Sequence, residues 1–150
     1  MRIKACLTSN NQLWKTPKNI YQSFMDRGFF DPCPGNSNFD GLKIEWSDKN
    51  FVNPPYNAID EWIDKALEEV EKGKHIVLLI PARTDTRWFR KLYEANGHFR
   101  FIQGRLHFNE SNSAPFPSMF VLLDKKNYYP TMMLLTKEDM EIMYGTKKTN

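Results

Sequence analysis

The tetrapeptide Asn53-Pro54-Pro55-Tyr56 stands between an apolar stretch and a helical pattern, in KNFVNPPYNAIDEW. Its residue types suit the activation of a flat aromatic amine such as that of adenine. The lone pair of such a nitrogen is delocalised into the ring, which makes it a poor nucleophile. Two acceptors aimed at its hydrogens favour a more tetrahedral nitrogen and release the lone pair. The side-chain oxygen of Asn53 and the carbonyl of Pro54 can supply them. The prolines restrict the backbone, so the acceptors are aimed before reaction begins. The Tyr56 ring can lie flat against a base. No group of tuned pKa is required, because the amine proton can leave after transfer. A base paired inside a duplex must be flipped out to reach such a pocket. The plainer reading of the same residues is a rigid turn with Asn57 capping the next helix.

Positioning these residues requires a strand before them and a helix after. NFV supplies a short strand, and Ile59, Trp62, Ile63, Ala66, Leu67 and Val70 form one helical stripe that ends at Gly73. HIVLLIPA reads as a strand buried on both faces in a parallel sheet. TPKNIYQSFMDRG reads as a helix with Thr16 as N-cap, Pro17 in the first position and Gly28 as the stop. FFDPCP is a short strand broken by Pro32, and Leu42, Ile44 and Trp46 alternate as in a strand. TDTRWFRKLYEANG is a helix capped by Thr84 or Asp85. FRFIQGRLHF and PSMFVLLDKK pair as an antiparallel hairpin. A short helix over residues 136–144 and a frayed end over 147–150 complete the chain.

Alternating strands and helices indicate a single-domain α/β layered fold spanning residues 1–150, with a mostly parallel sheet and an antiparallel hairpin toward the C-terminus. Ligands of such sheets bind beyond the carboxyl ends of the strands. DPCP, NPPY and PARTDT all follow strands at that rim.

The 150 residues are 41% hydrophobic and 26% charged, as in an ordinary soluble domain. The net charge of +3 and pI near 8.8 permit nucleic-acid binding without arguing strongly for it. Eleven Phe, six Tyr and four Trp leave rings available for stacking on a flat ligand. Cys6 and Cys33 are too few for a disulfide framework and lack metal-ligand spacing. The run Ile76–Ile80 is too short to span a membrane, and the N-terminus turns polar before a signal-peptide core develops. The expectation is a cytoplasmic protein with no metal and no membrane partner; its oligomeric state is left open.

The ordered pieces LWKTP, FDPCP, FDGLKIEW, FVNPPYNAIDEWIDKA, LLIPARTDTRWF, GRLHF and PSMFVLL, spanning residues 13–123, resemble the phage-type DNA adenine-N6 methyltransferases, the Dam-like family of phages and prophages. The resemblance implies a Rossmann-like fold, S-adenosylmethionine as methyl donor, and double-stranded DNA with a flipped adenine as acceptor. Asn53, Pro54, Pro55 and Tyr56 match the catalytic tetrapeptide. Asp31, Pro32 and Cys33 look like the donor-binding turn, with Asp31 facing the methionine ammonium. Trp14, Thr16 and Pro17 match an element near the cofactor. The location implied is the cytoplasm of a bacterial host. The turn departs from the family pattern in holding one glycine, Gly35, and residues 36–52 leave little room for strands carrying a ribose-binding acid; Asp40 and Glu45 are the candidates.

Lys15, Arg83, Arg87, Arg90 and Arg105 can contact DNA phosphates or form a solvated face, and Arg83 lies in a turn at the rim. His75, His98 and His107 lack triad or ligand spacing and read as structural. Trp62 reads as core, and Trp88 and Phe89 as packing residues. Cys33 has no partnered His, and amine methylation needs no thiol nucleophile. Target choice falls to loops, with Asn109–Pro117 as the candidate. The competing functions are methylation of an RNA guanine amine or a protein glutamine amide, and a degenerate chain that binds DNA without turnover.

Overall fold

The apolar run becomes the middle of the sheet. In the computed structural model, which describes residues 15–35, 37–107 and 113–145, β2 (His75–Pro81) lies between β1 (Lys49–Val52) and β4 (Ser118–Leu123). Beyond β4 come β3 (His98–Ile102) and β5 (Thr131–Leu135), giving the order β1-β2-β4-β3-β5. β1 pairs with β2 and β3 with β5 in parallel, and β4 runs antiparallel to both its neighbours. Thus β1, β2, β3 and β5 share one direction. The hairpin of β3 and β4 forms as expected, with β4 folded back between β2 and β3. The C-terminal strand is β5, at the sheet edge.

Alternation along the strands feeds two cores. Val52, Ile76, Leu78, Ile80, Met119 and Val121 face α2 (Ile59–Glu71) and α3 (Arg87–Glu94). Phe51, Val77, Leu79 and Phe120 face α1 (Lys18–Asp26) and α4 (Lys137–Tyr144). The result is an α/β sandwich of helices on both sides of one sheet. The helical stripe of α2 is buried at Ile59, Trp62, Ile63, Ala66 and Val70, as its spacing requires. Among the described residues no helix is long and apolar enough to cross a membrane.

Several local expectations change. FFDPCP contributes a single parallel bridge, Phe30 to Asn50, rather than a strand. Residues 42–46 form no strand, because Trp46 turns inward and donates its indole N–H to the Gly41 carbonyl at 2.7 Å. Asn57 does not cap α2; a 3-10 turn over Tyr56–Ala58 leads into it. The cap of α3 is Thr86, whose hydroxyl accepts from Phe89 N and donates to the Arg83 carbonyl. Helix α4 forms as expected, closed at its start by a reciprocal box of Thr136 and Asp139. The expected fraying over 147–150 lies outside the described residues.

The sheet is also tied down by a buried charge. Glu69, fully inaccessible, accepts from Lys74 at 2.6 Å, Lys65 at 2.9 Å, Lys72 at 3.1 Å and the Trp46 N–H at 3.3 Å. Burial alone would push its carboxyl up, but these hydrogen bonds prevail and hold it down to about 2. The network joins α2 to the segment entering β1 and the residue entering β2.

Candidate active site

Because four strands share a direction, their carboxyl ends line one rim. Asp31 follows the Phe30 bridge there, Asn53 follows β1, Ala82 and Arg83 follow β2, and Arg105 lies beyond β3. The antiparallel β4 brings its amino end to the same rim, where the Pro117 carbonyl accepts from Ala82 N at 2.8 Å. The three turns DPCP, NPPY and PARTDT therefore share one edge, as the sequence pattern predicts.

Pro54 and Pro55 are buried, while Asn53 and Tyr56 are partly exposed. The Pro55 carbonyl accepts from Ala58 N at 3.1 Å, which closes the 3-10 turn and anchors the bend from behind. The Asn53 amide nitrogen donates to the Thr16 hydroxyl at 3.1 Å. This bond orients the amide by setting the direction of its nitrogen limb, and hence that of its oxygen. Thr16 is therefore not the N-cap of α1: that position is held by Pro17, which is buried and offers no side-chain cap. Trp14, the third residue of that element, lies outside the described residues.

Tyr56 is held edge-on by Phe116, with ring centroids 4.9 Å apart at 82°. Burial raises its hydroxyl pKa above the usual phenol range, and the positive charge of Arg83 opposes the shift. Tyr56 thus stays a neutral wall. Phe116 carries no motif, and its position in the stretch SNSAPFPS gave no periodic signal. The arm that carries it is pinned by a bridge from His107 to Ser113 and by Ala114 N donating to the Leu106 carbonyl at 2.7 Å. Residues 109–112 of the expected loop lie outside the described residues.

Asp31 is constrained on both sides. It accepts from the Cys33 N–H at 2.8 Å and from the Tyr21 side chain. Burial pushes its carboxyl up to about 6 against those bonds. The Tyr21 hydroxyl is raised to about 12 by its own burial and then by the Asp31 charge and hydrogen bond. The tertiary fold turns the Tyr21 hydroxyl, on α1, onto the acid. Cys33 is buried and is not a free thiol, in keeping with its exclusion as a nucleophile.

Gly41 packs tightly against the DPCP turn. A Cβ there would meet the Pro32 carbonyl oxygen and lie 2.7 Å from the Trp62 ring. A side chain at this position would therefore displace the DPCP turn from the Trp62 side of the core. Neither Asp40 nor Glu45 is brought into the Asp31 cluster. Asp40 binds Leu42 N within its own turn, and Glu45 pairs with Lys74 at 3.1 Å.

Lys15, Arg83, Arg87 and Arg105 are all exposed. Lys15 precedes Thr16, Arg83 lies beside Tyr56, Arg87 opens α3 as it leaves the rim, and Arg105 follows β3. Arg90 is turned along α3 to Glu94 at 2.8 Å. His75 faces Asp124 at 3.3 Å, at the opposite end of the sheet. Two clefts of about 460 and 280 Å3 lie away from the tetrapeptide, one between α2 and α3 and the other between α1 and α4. No cluster of three metal-ligating side chains occurs among the described residues.

A protein from Escherichia phage T1 named DNA N-6-adenine-methyltransferase is 33% identical over 64 residues, covering 41% of this chain and 27% of that relative's length. A solved Listeria monocytogenes protein, provisionally assigned to the class I S-adenosylmethionine-dependent methyltransferases, aligns with 65% of this chain and 39% of its own at 17% identity and a TM-score of 0.42. The family described as DNA N-6-adenine-methyltransferase (Dam) matches residues 36–147, a span that includes Asn53–Tyr56, Arg83, Arg87, Arg105 and Phe116 and leaves Thr16 and Asp31 outside. With that match covering most of its length, and the tetrapeptide at the sheet rim within it, this chain belongs to the DNA N-6-adenine-methyltransferase (Dam) family.

Proposed function

We propose that the protein methylates the exocyclic N6 amine of adenine in double-stranded DNA, using S-adenosylmethionine. The observation that carries this reading is the partly exposed Asn53 at the strand-end rim, its amide oriented by Thr16 and its backbone braced by two buried prolines. In this proposal the Asn53 side-chain oxygen and the Pro54 carbonyl accept the two amine hydrogens of a flipped adenine, and the Tyr56 ring covers the base. Phe116 keeps that ring from rotating away. The amine lone pair would form the new bond to the methyl carbon as that carbon's bond to sulfur breaks, the donor leaving as a neutral thioether, and the surplus proton would leave the nitrogen for solvent. The gain comes from orientation and from acceptors aimed beforehand.

The donor set suits a cationic methyl donor. Asp31 is a carboxyl at the rim whose burial makes it costly to ionise alone, so an ammonium is the partner that relieves it. Pro32 and Cys33 shape the turn around it, and Gly41 backs it. When bound, S-adenosylmethionine supplies an electrophilic methyl group on a sulfonium. Lys15, Arg83, Arg87 and Arg105 would hold DNA phosphates around the rim. The reading places the protein in the cytoplasm of a phage-carrying bacterial host.

The test assays labelled methyl transfer onto DNA, RNA and protein in parallel with wild type and Asn53→Ala. DNA is expected to be labelled, and Asn53→Ala to lose the transfer while keeping donor binding. Labelling of RNA or protein alone, or full activity in Asn53→Ala, overturns the proposal.

A further inference from the structure

β5 ends the sheet among the described residues, and it is built unlike a protected edge. Met132, Met133 and Leu134 are 56%, 52% and 57% exposed. Of the large hydrophobic residues exposed among the described residues, all but Tyr93 lie between positions 128 and 143, on β5, its preceding turn and α4. The strand TMMLL holds no charged residue and no proline. Natural edges avoid pairing through charges, prolines or bulges, and β5 has none within its length. An edge that is apolar and unpaired among the described residues is a template for another strand.

We propose that β5 pairs with β5 of a second copy of this chain, antiparallel about a twofold axis at Met133, joining two five-stranded sheets into one of ten strands. The centring is set by the strand itself. With Met133 opposite its own copy, Met132 meets Leu134 and Thr131 meets Leu135, so all five residues enter the ladder. The flanks select the direction. The turn before β5 is net basic, with Lys125 and Lys126 against Asp124 and Lys125 itself reaching Glu71 of α2, and the first turns of α4 after it are net acidic, with Glu138, Asp139 and Glu141 against Lys137. Antiparallel pairing sets the basic flank of one copy toward the acidic flank of the other, whereas parallel pairing sets like against like. A twofold contact also reuses one patch on both copies, which closes the assembly at two and leaves both site rims untouched.

The experiment uses the full chain. Light scattering and sedimentation on wild type, over rising concentration, should show the mass move from 17.7 kDa toward twice that value. Met133→Lys and Leu134→Lys, at exposed positions, should stay monomeric with an unchanged melting temperature. Met133→Cys under mild oxidation should cross-link to itself, since opposed strand residues sit about 4.5–5.5 Å apart between Cα atoms, and Tyr93→Cys should not. A wild type that remains a monomer throughout overturns the proposal. So does a dimer that survives Met133→Lys, or a Met133→Cys protein that cross-links no better than Tyr93→Cys.

Discussion

The Asn53 amide nitrogen donates to the Thr16 hydroxyl across 3.1 Å, joining the bend after β1 to the residue that precedes the first helix by two positions. A residue that reads as a helix cap thus serves as the brace of the proposed catalytic amide. Thr16→Val should lower kcat about tenfold, the cost of about 1.4 kcal/mol for one lost orienting hydrogen bond. Thr16→Ser should restore most of it. Donor affinity and melting temperature should change little in either variant, which separates orientation from folding. Steady-state methyl transfer together with calorimetry checks the split.

Asp31 links function to stability with a definite sign. Its carboxyl is raised from 3.8 to about 6, so the folded state favours the protonated form. Folding stability then declines as pH rises through that interval, because the folded protein holds a proton that the unfolded chain has released. Asp31→Asn, which keeps the neutral shape, should melt higher than wild type at pH 7.5 and close to it at pH 4.5. Its affinity for a cationic donor should fall, and the tightening of wild-type binding between pH 5 and 7.5 should vanish. Thermal melts and titration calorimetry at those pH values test both halves.

Glu69 behaves in the opposite way. Its carboxyl is lowered from 4.5 to about 2, so its contribution is present above pH 4.5 and fades as pH falls toward 2. Removing the charge strands Lys74, itself buried against Glu69 and the Trp46 carbonyl. Glu69→Gln should therefore lose about 3–5 kcal/mol of folding stability at pH 7. The gap between wild type and variant should narrow on acidification. Urea unfolding across pH 2.5–7 measures it.

Arg83 sits beside Tyr56 on the rim, while Arg90 is committed to Glu94. If Arg83 meets a phosphate, Arg83→Ala should weaken DNA binding at all sequences and reduce the slope of log affinity against log salt by about 1. Arg90→Ala should leave that slope unchanged. Fluorescence anisotropy at stepped salt concentrations distinguishes them.

The two longest periodic stretches were legible. The α2 stripe and the apolar β2 run formed where their spacing placed them, because each buries a continuous face whatever its neighbours are. β5 was not, since TMMLL shows neither alternation nor burial at its three central residues. The cap of α3 was misplaced by a residue or two because Thr84, Asp85 and Thr86 all suit the position; Thr86 wins by also bonding the Arg83 carbonyl.

Residue types alone marked the chemistry: a polar amide and an aromatic ring on a double-proline bend, after a strand and before a helix, together with an acid in the DPCP turn. Those features are local, and local chain stiffness and hydrophobic period suffice to produce them. Which groups meet across the rim was a matter of folding. Thr16 reaching Asn53, Tyr21 reaching Asp31, Phe116 against Tyr56 and Gly41 under Pro32 all join segments apart in the chain. Periodicity records which face of an element is buried and is silent on which element lies beside it. Here strand order chose the neighbours, and β4 turning back between β2 and β3 carried Phe116 to the bend.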